Sequence, residues 1–185
     1  MIRRATWILI MISGLFVLSC SGDDNTYFLI GTDQVGLLNR QTTMAEIQAI
    51  YNRDSLVSDT MQLSFGEGGK KLKIFEKGGK HLLTLTATSD SIARVGHILV
   101  ADPRFKTEKG IGLQSTFIDI EKNYPIEKII TSMNNIVVLL EDSDIYFTID
   151  KKELPAHLRY TKNRAIERVE IPDQAAIKYM MVGWQ

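Results

Sequence analysis

The sequence predicts an α+β fold of two related units, each a short helix packed on an antiparallel β-sheet. Three observations carry this expectation. Thr42 to Tyr51 and Ser115 to Tyr124 both show helical apolar spacing, and they stand 73 residues apart. Each is followed by short apolar or alternating runs bounded by Gly, Pro and Asp, the pattern of strands. Superposed, the two stretches pair Thr43 with Thr116, Met44 with Phe117, Glu46 with Asp119, Ile47 with Ile120 and Tyr51 with Tyr124. Self-similarity at a fixed offset argues a duplicated supersecondary unit, with halves at 27–104 and 105–185.

Ahead of both units lies a segment of another kind. Arg3 and Arg4 precede an apolar run, Ile8 to Leu18, that ends at Ser19 and at Cys20, the only cysteine in the chain. A charged start, a short apolar core and a small residue before the cut describe a signal peptide over residues 1–19. The run is shorter than the roughly 20 residues a membrane-spanning helix needs. Val17-Leu18-Ser19-Cys20 resembles the bacterial lipobox. That resemblance implies that Cys20 is diacylated and becomes the first residue of the mature chain. The alternative is a free thiol behind an uncleaved anchor. Residues 20–26 form a polar tether. Within it Ser21, Asp23 and Asp24 resemble the serine-plus-aspartate signal that sends some Bacteroidetes lipoproteins to the cell surface. The plain reading is that any tether is polar, so the periplasmic face of the outer membrane and the cell surface both stay open.

From there the elements follow in order. Tyr27 to Ile30 reads as a first strand, and Asp33 to Gln41 as loop. Thr43 and Glu46 form a capping box at the start of the first helix: the hydroxyl accepts a free amide and the carboxylate reaches back. Strands are expected at Met61 to Phe65, Leu72 to Glu76, Leu82 to Thr86 and Ile92 to Val100, with Gly78-Gly79 as a hairpin turn. Lys106 to Gly110 is a charged connector, and Pro125 stops the second helix. Strands are expected again at Lys128 to Ser132, Ile136 to Glu141 and Asp144 to Asp150, with a helical turn around Pro155. Ala175 to Trp184 is a last strand, apolar on both faces and therefore central. Trp184 has two roles open to it, core packing and a contact surface.

The repeated motif explains itself through folding. A glycine between aliphatics, Val35-Gly36-Leu37 or Ile111-Gly112-Leu113, turns the chain. The hydroxyl and the acid favour the helix start, and the aliphatic and tyrosine four apart share one face. Glycine, then Ser/Thr, an acid-aliphatic pair and an aromatic at the helix end resembles the repeat of small bacterial lipoproteins of the BamE/SmpA type. The same unit occurs in tandem in the β-lactamase-inhibitor-protein-like fold. The likeness covers about ten residues per copy, and the glycine-to-hydroxyl spacing is seven residues in the first and four in the second. It implies a non-catalytic binding or assembly role and transfers no binding residue.

Chemistry is otherwise sparse. The chain balances 22 basic against 22 acidic residues, with no basic stripe to recommend nucleic acid. His81, His97 and His157 lack the paired spacing of a zinc site, so neither a metal nor a cofactor is expected. Glu141-Asp142-Ser143-Asp144 lacks the length and glycine of a calcium loop. Gly66 to Lys71 lacks the spacing of a phosphate loop, and no Gly-x-Ser-x-Gly elbow is present. The leading expectation is a lipid-anchored envelope protein, not an enzyme, held to the membrane through Cys20 and bound to an envelope protein partner. The alternative is a small-ligand or glycan-binding lipoprotein of an uptake system. An enzyme would require histidines and carboxylates that converge only in the fold.

Overall fold

The computed structural model describes residues 24–59, 71–160 and 164–184. The chain opens on one turn of helix, α1 (Asp24–Tyr27), and three two-residue strands, β1 (Leu29–Ile30), β2 (Gln34–Val35) and β3 (Leu38–Asn39). Helix α2 (Ile47–Ile50) leads into a meander of β4 (Ser55–Asp59), β5 (Lys71–Phe75), β6 (His81–Ala87) and β7 (Val95–Val100). Strand β8 (Lys106–Thr107) and helix α3 (Phe117–Asn123) follow, then β9 (Ile126–Thr131), β10 (Asn135–Leu140) and β11 (Ile145–Asp150). A 3-10 turn at Lys151–Glu153, helix α4 (Ala156–Arg159) and a second 3-10 turn at Arg168–Glu170 precede the last strand, β12 (Ile177–Gly183).

This corrects the expected α+β class. Among the described residues twelve strands form two sheets and no helix exceeds seven residues, so the molecule is mostly β and is not assembled from helix-on-sheet units. The helical spacing was real but short-lived. Residues 44–46 are turn, leaving four helical residues in α2, while Thr116 and Tyr124 are extended and bound α3 at seven. Helices this short are marginal alone and persist through packing. The stretch read as loop, Asp33 to Gln41, holds β2 and β3 instead. Gly36, at φ 57°, makes the two-residue turn between Val35 and its partner Leu38. Lys106 and Thr107, read as connector, form β8 and pair parallel with β1. Strand β4 was not anticipated, and the expected strand Met61 to Phe65 lies outside the described residues.

The larger sheet is antiparallel, in the order β4-β5-β6-β7-β12-β11-β10-β9; the smaller runs β3-β2-β1-β8. The last strand therefore sits mid-sheet, as its two apolar faces demanded. Register carries one apolar side chain from every strand into a single row: Leu56, Ile74, Leu83, Val100, Met180, Phe147, Val138 and Ile129. The middle six are buried, the outer two half-buried against the core. Small-sheet residues (Ile30, Val35, Leu38) and helical residues (Ile47, Phe117, Ile120, Leu158) complete that core.

Both copies of the repeated motif dock alike. Thr43 and Thr116 each give their amide and hydroxyl to the acid three residues on, Glu46 and Asp119, at 2.7–2.9 Å. The next amide, of Met44 or Phe117, donates at 2.9 Å to Ala93 or Ala175, just before β7 or β12. Only Thr116 and Asp119 cap a helix, since α2 starts after Glu46, but each copy of the motif pins its chain to the strand that ends its meander.

Two further clamps hold the first half. The Tyr27 hydroxyl donates to Asp54 at 2.6 Å, and the rings of Tyr27, Phe28, Tyr51 and Phe105 meet edge to face. Gly36 lies beneath them, where a Cβ would come 2.6 Å from the Tyr27 carbonyl oxygen. The second clamp is Asp102, wholly buried after β7. Arg104 donates to it from backbone and side chain, Lys80 lies 3.1 Å away, and Arg104 also grips Glu76 and stacks on Phe28 at 4.2 Å. Burial alone would raise the Asp102 carboxyl, but the bonds from Arg104 and Lys80 hold it down at about 2.

Replacing Gly36 with Ala should cost at least about 2 kcal/mol in urea unfolding, since strain at positive φ adds to a backbone clash. The depressed Asp102 carboxyl contributes about 2 kcal/mol, fully present above the unfolded value near 3.9 and lost as pH falls through about 2. Asp102→Asn should therefore destabilise by about 3 kcal/mol at pH 7 and much less near pH 2, read from unfolding curves at both.

Candidate functional site

Strand alternation gives the larger sheet a second row, on the face opposite the core. It runs Val57, Lys73, Thr84, Leu99, Met181, Tyr146, Leu139 and Lys128. Next to it Tyr179, Thr148, Val137 and Ile130 align across β12 to β9. Val57 (49 % exposed), Tyr179 (42 %) and Ile130 (41 %) are open to solvent, and Leu99, Met181, Tyr146, Val137 and Leu139 are half-buried. Only the small Thr84 and Thr148 are buried, set between larger neighbours. At the centre, Gly183 lies under His97 and Tyr146, whose ring atoms stand 3.4 Å from where its Cβ would be. Burial pushes the Tyr146 phenol up, so it stays neutral at physiological pH. This outer face thus has an apolar and aromatic centre with a lysine on each flank.

One end of the face opens into a groove of about 820 Å³ lined by Met133, Asn134, Asp150, Lys151, Lys152, Arg159, Tyr160 and Lys178. A bulge between Thr148 and Ile149 leaves Lys178 out of the pairing register. Its ammonium reaches Asp150 at 2.9 Å and Asn135 at 3.2 Å. The bond to Asp150 raises Lys178; the Lys152 amide and Lys178 together lower Asp150. Among the described residues, four cationic side chains thus line the groove with one carboxylate.

The residues singled out in the sequence fall elsewhere. Cys20, Ser21 and Asp23 lie outside the described residues, as does most of the Gly66 to Lys71 run, and Asp24 opens α1. Trp184 is 3 % exposed and packs in the core, the first of its two roles; its amide donates to Gly96 at 2.7 Å, and its indole nitrogen has no partner among the described residues. The acidic turn is a hairpin tip: Asp142 takes φ 49°, Ser143 accepts the Ile145 amide at 3.2 Å, and Asp144 is held by Arg40. Among the described residues no three His, Cys, Asp or Glu side chains converge as metal ligands. His81 stacks on Phe75 and bonds Thr84, His97 lies on the outer face, and His157 is on α4. His97 pairs with Thr86, five positions along β6 from His81, which separates these two by roughly 17 Å.

No family model matches the sequence, nor does any curated protein. Among solved structures it is similar to the uncharacterized protein YfeY of Escherichia coli, with a TM-score of 0.54 and 16 % identity over 83 % of this chain and 98 % of that one. At that identity the likeness is of fold alone.

The two faces predict opposite mutational responses. Phe147→Ala, on the inner row, should cost about 3–5 kcal/mol. Tyr179→Ser, on the outer face, should stay within about 1 kcal/mol. Thermal unfolding of both variants tests the assignment of faces.

Proposed function

We propose that this chain is a lipid-anchored protein of the bacterial cell envelope with a non-catalytic binding or assembly role, and that the outer sheet face receives a protein partner. The observation that carries the reading is the composition of that face. Leu99, Met181, Tyr146, Leu139 and Tyr179 make one continuous apolar and aromatic surface that the core does not use. Tyrosine and methionine are the side chains that interface centres favour. Lys73 and Lys128 flank it, so the fitting partner has an apolar centre and an acidic rim. The surface lies on a sheet whose register is fixed by the buried row behind it, which keeps the contact geometry preorganised.

Anchoring rests on the sequence. The apolar run ending at Cys20 and its likeness to the lipobox support acylation there, with the outer membrane as destination. Two or more acyl chains hold a protein stably on a bilayer, where one does so only marginally. The serine and aspartates after Cys20 support display at the cell surface, while a merely polar tether fits the periplasmic face.

The test is crosslinking in intact cells followed by pull-down of the C-terminally tagged chain, in wild type, Cys20→Ala and a Tyr179→Asp/Met181→Asp double variant. An envelope protein captured by wild type and lost from both variants is the expected result. Capture untouched by the double variant would remove the outer face from the reading. A blank from wild type with Cys20 shown to be acylated would sink the assembly role.

A further inference from the structure

We propose that the basic groove between β11, β12 and α4 is a site for a phosphate group carried on a larger body, held by Lys152, Arg159 and Lys178. The inference is independent of the partner assigned to the outer face. Arg159 donates through Nε to the Leu154 carbonyl at 2.8 Å, which fixes the guanidinium and, among the described residues, leaves its two terminal nitrogens for a ligand. That planar fork matches two oxygens of one oxyanion. Lys178 uses two of its three donors on Asp150 and Asn135, and one remains. Among the described residues the Lys152 side chain makes no hydrogen bond or ion pair; its amide, by contrast, is fixed on Asp150 at 3.0 Å.

The Asp150 carboxylate in the groove does not argue against an anion. Asp150 already accepts from the Lys152 amide and the Lys178 ammonium, so its charge is matched before any ligand arrives. Lys151 lines the groove from a buried position and has partners of its own, so it is not counted among the ligand's donors. What remains is an excess of positive charge around separate, outward donors, which suits a phosphate with its several oxygens better than a single carboxylate. The groove's volume, about 820 Å³, lies within the roughly 300–1,000 Å³ of small-molecule sites and exceeds what an inorganic oxyanion fills. Its rim carries Met133, 77 % exposed, and Tyr160, 88 % exposed, two apolar surfaces for the remainder of such a ligand. A phosphorylated headgroup on a lipid and a soluble phosphate ester share this chemistry.

The experiment is calorimetric titration of the full chain, held in neutral detergent at about 0.15 M salt, where screening beyond about 8 Å suppresses diffuse attraction. The probes are inorganic pyrophosphate and dioctanoyl phosphatidic acid. Saturable binding is expected, weakened about tenfold by Lys152→Gln and further by Lys152→Gln/Arg159→Gln, as loss of charge-assisted bonds requires. Lys77→Gln, at the far hairpin tip, should bind like wild type. Because Lys152 is exposed, its single variant keeps the test valid if the double variant loses stability. Tighter binding of the lipid, reduced by Met133→Ser/Tyr160→Ser, assigns the site to a lipid-borne phosphate; equal binding of the two probes assigns it to a soluble one. No saturable binding of either probe, or binding indifferent to the Lys152 and Arg159 changes, overturns the proposal.

Discussion

One alignment governs this molecule: eight strands in a register that brings an apolar side chain from each into a single row. Six of those eight are buried, and the small sheet and the short helices exist in the fold as their cover. Because side chains alternate, a slip of one residue in any strand would send its share of the row into water and bring the outer set inward. The bulges between Ile74 and Phe75, Thr86 and Ala87, and Thr148 and Ile149 are placed near strand ends, where they end or redirect pairing without breaking the row. The same register that fixes the core also fixes the outer face, so the proposed contact surface is a by-product of folding with no loop to order.

Much of the sheet could be read from the chain, and each of the misses has a physical reason. The β5–β6 hairpin announced itself through Gly78 and Gly79, which take φ 108° and 87°. Strands β9 to β11 and the central place of β12 followed from apolar runs and from the two apolar faces of Tyr179 to Val182. The helices were overdrawn because the hydroxyl-and-acid pattern sets no helix length, and in the first copy the helix starts only after the acid, Glu46. Strand β1 was read within Tyr27 to Ile30, but β2, β3 and β8, of two residues each, are too short to show a period, and β4 is too polar. The candidate face was hidden for a different reason. It takes one residue from each of eight strands, so Lys73, Tyr146 and Lys128 become neighbours only once pairing is known. The groove is equally dispersed, from Met133 to Lys178.

The charges of the chain divide in the same way as its faces. Around Asp102 they are locked: a wholly buried carboxylate holds Arg104 and Lys80, and Glu76 takes the other side of the guanidinium. That network ties the β5–β6 hairpin to the segment leaving β7, and it has little left to offer a ligand. At the groove, Lys178 and Arg159 are steadied by one or two bonds each and keep donors in reserve. Side chains of one type thus serve structure in one place and recognition in another, according to how completely the fold has satisfied them.

Strand β12 joins the two meanders, pairing with β7 on one side and with β11 on the other. Without it, the four-strand set β4 to β7 and the three-strand set β9 to β11 would each face water along an open edge. Its pairing with β7 joins residues far apart in sequence, Met180 with Val100, so this closure is the slowest and least local step in building the larger sheet. Loss of that one strand would leave two unjoined half-sheets that invite strand pairing with other chains.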